Sequence, residues 1–363
     1  MIIAACRKFP LLLTLSFCCF FLPLQLSAQP TEPSNTPSNS QAVILQYHHV
    51  SNETPPITSI APQDFQRHMN YLFENNFNIL PLEQILNSLI NDEELPDYTA
   101  AITFDDAYLS VYTEAFPILK ELNWPFSVFV TTGLVDTNSS LYANWTQLRE
   151  MAAAGATIAN HTVNHPYFLE RQTNESESDW LQSITEEITA AEEKILQETG
   201  QSHRLIAYPY GEYEPRIQAL VEELGYRGIA QHSGPINKHS DFSALPRFPL
   251  SGIYVSMNTF PNKVKSLAFT LDSITPSSPI SAEPSPSIEI DFSNDMPSLN
   301  QLTCFNNGEV INIDVLDAES ARVRVSTPIE NSSRRFRYNC TAPGPDGRYY
   351  WYSVPWINPA VSE

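Results

Sequence analysis

With 363 residues, 42% of them hydrophobic and 11% aromatic, the chain has about two domains' length and enough apolar content to bury a sizeable core. Its 41 acidic and 20 basic residues give a formal net charge of −21. That balance argues against nucleic acid or an anionic membrane as partner, and is compatible with a neutral glycan or one whose product becomes cationic.

The first 28 residues read as an export signal. Arg7 and Lys8 form a short basic segment, Phe9 to Leu24 is almost wholly apolar, and Ser27-Ala28 supplies small residues for a signal peptidase. The apolar run is shorter than the ~20 residues that span a bilayer, which disfavours an uncleaved anchor, and no later run is long enough to span one. Cleavage near Ala28 predicts a secreted or periplasmic protein. Cys6, Cys18 and Cys19 would leave with this segment, and Cys304 with Cys340 reads as one disulfide of an oxidising compartment, the alternative being two buried thiols.

Residues 29–41 are polar and Pro-rich, a disordered linker. The apolar run 42–47 predicts a strand, and a helix follows over 62–74, with Phe65, Met69, Leu72 and Phe73 on its inner face and His68 toward solvent. Thereafter strands expected at 100–104, 126–131, 156–159, 205–207 and 228–230 alternate with helices at 111–122, 144–154, 178–198 and 215–224. Asn144 suits a helix N-cap and Gly155 a helix stop. Such alternation predicts an α/β domain over 42–274, its parallel sheet or barrel wrapped by helices, with the site at the carboxyl ends of the strands. A second Pro/Ser-rich linker is expected over 275–287, and short alternating segments over 288–363 predict a small β-sandwich. Its run Tyr349-Tyr350-Trp351-Tyr352, with Trp356, is either core or a sugar-stacking surface; alternation favours core.

Three polar clusters fall just after predicted strands. Asp105-Asp106 ends one strand, and adjacent carboxylates pointing in different directions can take different tasks. Taken alone it reads as an acidic turn. His161 and His165, four residues apart, can meet one cation, and two His with one Asp leave positions open for water and substrate, as metal-assisted hydrolysis requires. The turn Pro209-Tyr210-Gly211 can present a backbone N–H to an oxyanion. Among the other histidines, His203 falls in a polar loop and His232 follows a strand where it could line a cleft.

Taken together and in this order, the clusters resemble the NodB-like polysaccharide deacetylases, the fourth family of carbohydrate esterases. The resemblance extends over about residues 42–255, including the segment from Trp145 to Gly155. Tyr47-His48-His49-Val50 and Leu245-Pro246-Arg247 are most similar to the branch of poly-N-acetylglucosamine deacetylases. The resemblance implies a distorted (β/α) barrel and metal-dependent deacetylation of N-acetylated glycans of the chitin or poly-N-acetylglucosamine type. It makes Asp105 the base that takes a proton from metal-bound water and Asp106, His161 and His165 the ligands of a divalent metal, usually Zn2+. It makes the backbone N–H of Tyr210 the oxyanion donor. In this branch the general acid moves to the start of the domain, which selects His48, with His49 its neighbour and His232 in reserve. Two positions depart from the family pattern: Ala207 stands where an Arg orients the catalytic Asp, and Ala107 where a Gly follows the acidic pair. Arg247 either reaches Asp105 in place of the missing Arg or is a surface cation. An O-acetyl esterase of xylan or another glycan shares the same motifs, and a non-catalytic glycan-binding protein is the remaining alternative.

Overall fold

The structure is a computed structural model that describes residues 40–137, 140–293 and 299–362. The expected export signal (1–28) and nearly all of the first linker (29–41) lie outside the described residues.

Strand β1 (Gln41–Tyr47) opens the main sheet, and β2 (His49–Val50) with β3 (Ser59–Ile60) makes a parallel ribbon beside it. Helix α1 (Pro62–Glu74), β4 (Asn78–Ile79), α2 (Leu82–Ile90) and β5 (Thr99–Asp105) follow. A π turn at Val111–Ala115 leads into α3 (Phe116–Glu121), so the single helix predicted over 111–122 is entered through a wider turn. The alternation continues with β6 (Ser127–Val130), α4 (Trp145–Ala153), β7 (Thr157–Asn160), α5 (Glu177–Thr199), β8 (Leu205–Ala207), α6 (Pro215–Glu223) and β9 (Arg227–Ile229). β10 (Pro235–Asn237), β11 (Phe248–Pro249) and α7 (Phe260–Val264) complete the unit.

The sheet order is β10-β1-β5-β6-β7-β8-β9, with β11 beside β1 and β4 beside β5; β10 is antiparallel and the other pairings are parallel. This is the predicted mixed α/β architecture, a curled, mostly parallel sheet with helices packed on it. All seven residues of β5 are buried, as expected of a strand covered on both faces. Register sets the site. Tyr47 pairs with Phe104, Asp105 with Phe129, Val130 with Asn160, Asn160 with Ile206 and Ala207 with Ile229. The residues leaving β1, β5, β7 and β8 therefore emerge at one edge of the sheet.

Asn144 caps α4 as expected, in a reciprocal capping box with Gln147, and Gly155 follows the helix end at φ 98°; Gly200 ends α5 at φ 74°. The inner stripe of α1 differs from the prediction. Phe65, His68, Met69 and Leu72 are buried whereas Phe73 is 63% exposed. The segment around Val255 and Phe260 covers that flank of the helix: His68 stacks on Phe260 at 3.8 Å, and its ring nitrogens meet Tyr47 Oη and the Val255 carbonyl.

Beyond α7 come β12 (Leu267–Ala268), β13 (Leu271–Thr275), β14 (Ile288–Phe292), β15 (Thr303–Asn306), β16 (Glu309–Val310), β17 (Asn312–Asp317), β18 (Arg322–Ser326), β19 (Arg335–Pro343) and β20 (Tyr349–Ile357). They form two sheets, β12-β20-β19-β15-β16 and β13-β14-β18-β17, and Ile290 and Val323 of one share an apolar core with Tyr338 and Trp356 of the other. The Cys304–Cys340 disulfide links paired residues of β15 and β19. Because β13 pairs with β14, the Pro/Ser stretch between them joins neighbouring strands of one sheet. The aromatic run of β20 is absorbed largely as packing: Trp356, Tyr350 and Tyr352 face the C-terminal core, and Trp351 meets Phe248 edge-on at 5.3 Å on the other side.

Candidate metal and catalytic site

The chain turns sharply after β5. Asp106 (φ 70°) and Ala107 (φ 57°) are both left-handed, and the Ala107 carbonyl accepts the Ala143 N–H at 2.9 Å. Asp105 and Asp106 are thereby sent apart. Asp105 is fully buried: Arg247 closes two hydrogen bonds on it, of 2.7 and 2.8 Å, and Gln46 Nε2 donates a third at 2.8 Å. Burial alone would raise this carboxyl, but the charges of Arg247, His161 and His48 outweigh it and hold it at about 2. Arg247, itself fully buried, is carried there by the turn before β11, its Nε on the Ala230 carbonyl. Of the two sequence alternatives for Arg247, the structure contains the one that reaches Asp105.

His161 follows β7, fully buried. Its Nδ1 donates to the Ala207 carbonyl at 2.8 Å, which leaves Nε2 as the lone-pair nitrogen. That Nε2 lies 3.5 Å from Asp106 Oδ1, and His165 Nε2 is also 3.5 Å from the same oxygen. One donor atom from each of Asp106, His161 and His165 lies within 4.8 Å of the others. Donors each ~2.1 Å from one tetrahedral ion stand about 3.4 Å apart, so the two 3.5 Å Asp–His spacings suit a divalent ion. A second sign of fit is that His161 Nε2 is buried without a hydrogen-bond partner, which is costly unless something occupies its lone pair. Burial lowers the affinity of His161 for a proton, but the nearby Asp106 and Asp105 more than reverse this, while burial and the neighbouring His161 bring His165 down to about 4. The same carboxylates would attract a metal cation.

The loop carrying the two histidines is held from three sides. Asn160 Oδ1 accepts the Thr162 N–H, and Asn160 Nδ2 donates to Ile188 O and Glu192 of α5. Glu187, also on α5, accepts the N–H groups of Val163 and Asn164 at 3.0 and 2.8 Å. Gly133 donates to the Val163 carbonyl; a Cβ at Gly133 would stand 2.6 Å from that oxygen, so the approach requires glycine. Thr162 (φ 67°) and His165 (φ 54°) are left-handed within this cage.

The acid candidates separate by environment. His48 Nε2 lies 3.8 Å from Asp105 Oδ2, with 16% of the side chain exposed. His49 is buried and stacked on Tyr108 at 3.4 Å, and burial first, then His48, lowers it to about 4. His232 is lowered to about 3 by burial and by Arg337, and lines a cleft of about 260 Å³ with Asp241, Trp351 and Tyr352. Burial thus disfavours the imidazolium form of both His49 and His232. His203 pairs with Glu83.

Tyr210 sits in the turn after β8 at φ 58°. Its ring lies flat on Tyr167 at 3.7 Å and meets His165 edge-on at 4.4 Å, so this turn adjoins the His161–His165 loop. Sequence reasoning missed Gln46, Glu187, Glu192 and the Ala207 carbonyl. Gln46 alone left a signal, as the single polar residue inside the apolar run of β1.

Residues 92–229 match the polysaccharide deacetylase family model. The poly-beta-1,6-N-acetyl-D-glucosamine N-deacetylase of Escherichia coli K12 is 24% identical over 241 residues, covering 56% of this chain and 36% of that protein. Its namesake from Staphylococcus epidermidis is 24% identical over 245 residues, covering 62% and 83%. The chain thus spans about a third of the E. coli relative and most of the staphylococcal one. Among solved structures, IcaB from Ammonifex degensii has a TM-score of 0.54 at 23% identity, covering 62% of this chain and 98% of that one. The Streptococcus pyogenes deacetylase PplD in complex with acetate gives 0.53 at 24%, covering 59% and 93%. These structures share the fold. Among the described residues, no helix is long and apolar enough to cross a membrane.

Proposed function

We propose that this protein is an exported, metal-dependent enzyme that removes acetyl groups from an N-acetylated glycan of the poly-β-1,6-N-acetylglucosamine type, a reading supported by the match of residues 92–229 to the polysaccharide deacetylase family model. The observation that carries the reading is the meeting of two constellations: the Asp106/His161/His165 donor set, and Asp105 paired with Arg247 and faced by His48. The named activity of the relatives supports the choice of polymer. The apolar first 28 residues and the Cys304–Cys340 disulfide support export.

Asp106, His161 and His165 hold the divalent ion, zinc in the first instance, which when bound supplies Lewis acidity toward water and the acyl oxygen. Asp105 is the general base. A carboxylate accepts about four hydrogen bonds; Arg247 and Gln46 use three, one on Oδ1 and two on Oδ2. One acceptor direction on Oδ1 remains for the attacking water. Arg247 keeps Asp105 ionised and fixes its plane, the task that an Arg at position 207 would have performed. His48, whose Nε2 lies 3.8 Å from Asp105 Oδ2, gives a proton to the departing nitrogen. The Tyr210 N–H binds the oxyanion.

The test is acetate release from poly-N-acetylglucosamine, chitin oligomers and acetyl-xylan, measured side by side for the wild type and for Asp105→Asn. The expected result is release from the first substrate by the zinc-loaded wild type, and a loss of at least about 10²-fold in the variant with zinc still bound. Preference for acetyl-xylan would make it an O-acetyl esterase. Full activity of Asp105→Asn would refute the base assignment.

A further inference from the structure

We infer that the C-terminal β module is part of the active site: its Arg334 clamps Glu212 and thereby positions the turn that presents the Tyr210 N–H. This rests on the deacetylase reading for its catalytic consequence, though the clamp itself does not.

Glu212 follows the turn directly and is fully buried. Both its oxygens are occupied from the C-terminal module: Arg334 donates Nε to Oε1 and Nη2 to Oε2, at 2.5 and 2.8 Å, and Arg335 Nη1 reaches Oε1 at 2.7 Å. Arg334 is 3% exposed, and its remaining nitrogen, Nη1, donates to the carbonyls of Pro359 and Val361 at 3.1 and 3.0 Å. A guanidinium bonded through all three nitrogens has no freedom to swing. Its carbon also lies 4.9 Å over the Tyr167 ring, and that of Arg335 5.5 Å over Tyr210. The stacked tyrosines beside His165 are therefore backed by two cations of the C-terminal module.

The turn needs such support. Tyr210 is a left-handed residue with a Cβ, a conformation that persists only where surroundings impose it. Within the turn, Gly211 N–H to Tyr208 O and Glu212 N–H to Pro209 O close the backbone. From one side Gly211 packs so closely on Gln231 that a Cβ would come within 2.6 Å of it; from the other stand Arg334 and Arg335. Contacts between modules of one chain are commonly polar and mobile. A fully desolvated, bidentate pair is the opposite, since parting it strands a buried charge. Arg334 is thus a positioning residue, acting on Tyr210 through Glu212.

The test uses the full chain with Arg334→Gln, Arg334→Lys, Glu212→Gln and the double variant Arg334→Gln/Glu212→Gln. Hydrogen–deuterium exchange follows the peptide spanning 208–213, zinc content is measured per chain, and kcat and KM for acetate release are determined separately. In Arg334→Gln, exchange of the Gly211 and Glu212 amides should rise about 10-fold or more while β5 stays protected and zinc stays bound. kcat should fall about 10–100-fold with KM within about 2-fold, as expected when a transition-state donor is displaced. The double variant, a neutral amide pair, should recover part of both losses, and Arg334→Lys, lacking the fork, only some of the exchange protection. Should Arg334→Gln fail to fold, Glu212→Gln carries the test, with the same signs. Unchanged exchange over 208–213, or a kcat loss that tracks loss of zinc and protection everywhere, overturns the inference. A wild type that releases no acetate would sink the deacetylase reading, and the exchange result would still decide the clamp.

Discussion

Replacing Arg247 with methionine keeps much of the side-chain volume and removes the charge opposite Asp105. Arginine and carboxylate are both fully buried and share two hydrogen bonds, so the variant strips both from Asp105 and leaves it the bond from Gln46. Removing one member of a buried pair costs about 3–5 kcal/mol. Spread over the unit Ser38–Glu363, at ~2.1 cal/mol/K per residue, that is about 4–7 °C of melting temperature. The pH dependence identifies the cause. In the wild type, Asp105 titrates at about 2 in place of 3.8, a lowered folded-state value worth roughly 2.4 kcal/mol. That contribution is complete above pH ~4 and is lost as pH falls toward 2. In the variant, burial dominates and raises the carboxyl, so the stranded charge costs most near neutrality and is relieved as acid protonates it. The stability gap between the two proteins should therefore be widest near pH 7 and shrink toward pH 4. Thermal scans from pH 4 to 8 in metal-free buffer would measure it. A gap that is constant with pH, or smaller than about 1 kcal/mol, would refute the pairing argument.

Three other outcomes follow from the same geometry. His48→Gln should lower acetate release from an acetamide about 10²–10⁴-fold yet largely spare 4-nitrophenyl acetate, whose phenolate leaves without a proton; equal losses on both would make His48 a positioning group. Glu187→Gln, which weakens the grip of α5 on the Val163 and Asn164 N–H groups, should reduce zinc affinity about 10–100-fold in chelator competition. An unchanged affinity would mean the loop holds its shape unaided. Cys304→Ser with Cys340→Ser opens a cross-link of 36-residue separation and should destabilise the protein by about 4 kcal/mol in urea titration, and a loss under ~1 kcal/mol would count against the unfolded-chain account.

Periodicity and motif spacing made the α/β sheet legible, because each buried strand leaves an apolar run and each helix a stripe. The meeting of Asp106, His161 and His165, the proposed donor set, was legible for a different reason: Asp106 and His161 directly follow strands whose ends could be placed, and His165 lies four residues beyond His161. What stayed hidden, as for Gln46, or undecided between two alternatives, as for Arg247, depended on contacts across long sequence separations. Gln46 and Asp105 are 59 residues apart, and Arg247 and Asp105 142; no local pattern reports such a meeting, though an unexplained polar residue in β1 hints at one. His68 was misplaced because helical periodicity marks one apolar face, and a later segment, residues 252–264, buried a second. Arg334 and Arg335 belong to no motif in the sequence, and only the C-terminal sheets lay them against Glu212.

Left-handed backbone at Asp106, Ala107, Thr162, His165 and Tyr210 also bears on how portable this centre is. Each such residue costs about 1–3 kcal/mol in isolation, and none of the five is glycine, so the loops would relax to other shapes if cut free of their surroundings. A peptide spanning 157–168 should not hold its histidines in register, and grafting the side chains alone onto another barrel should yield a weak, floppy cation site. The transplantable unit is larger: it includes Gly133, Glu187 and Glu212, which touch no reacting atom, and a carbonyl at Ala207 that any amino acid could have supplied.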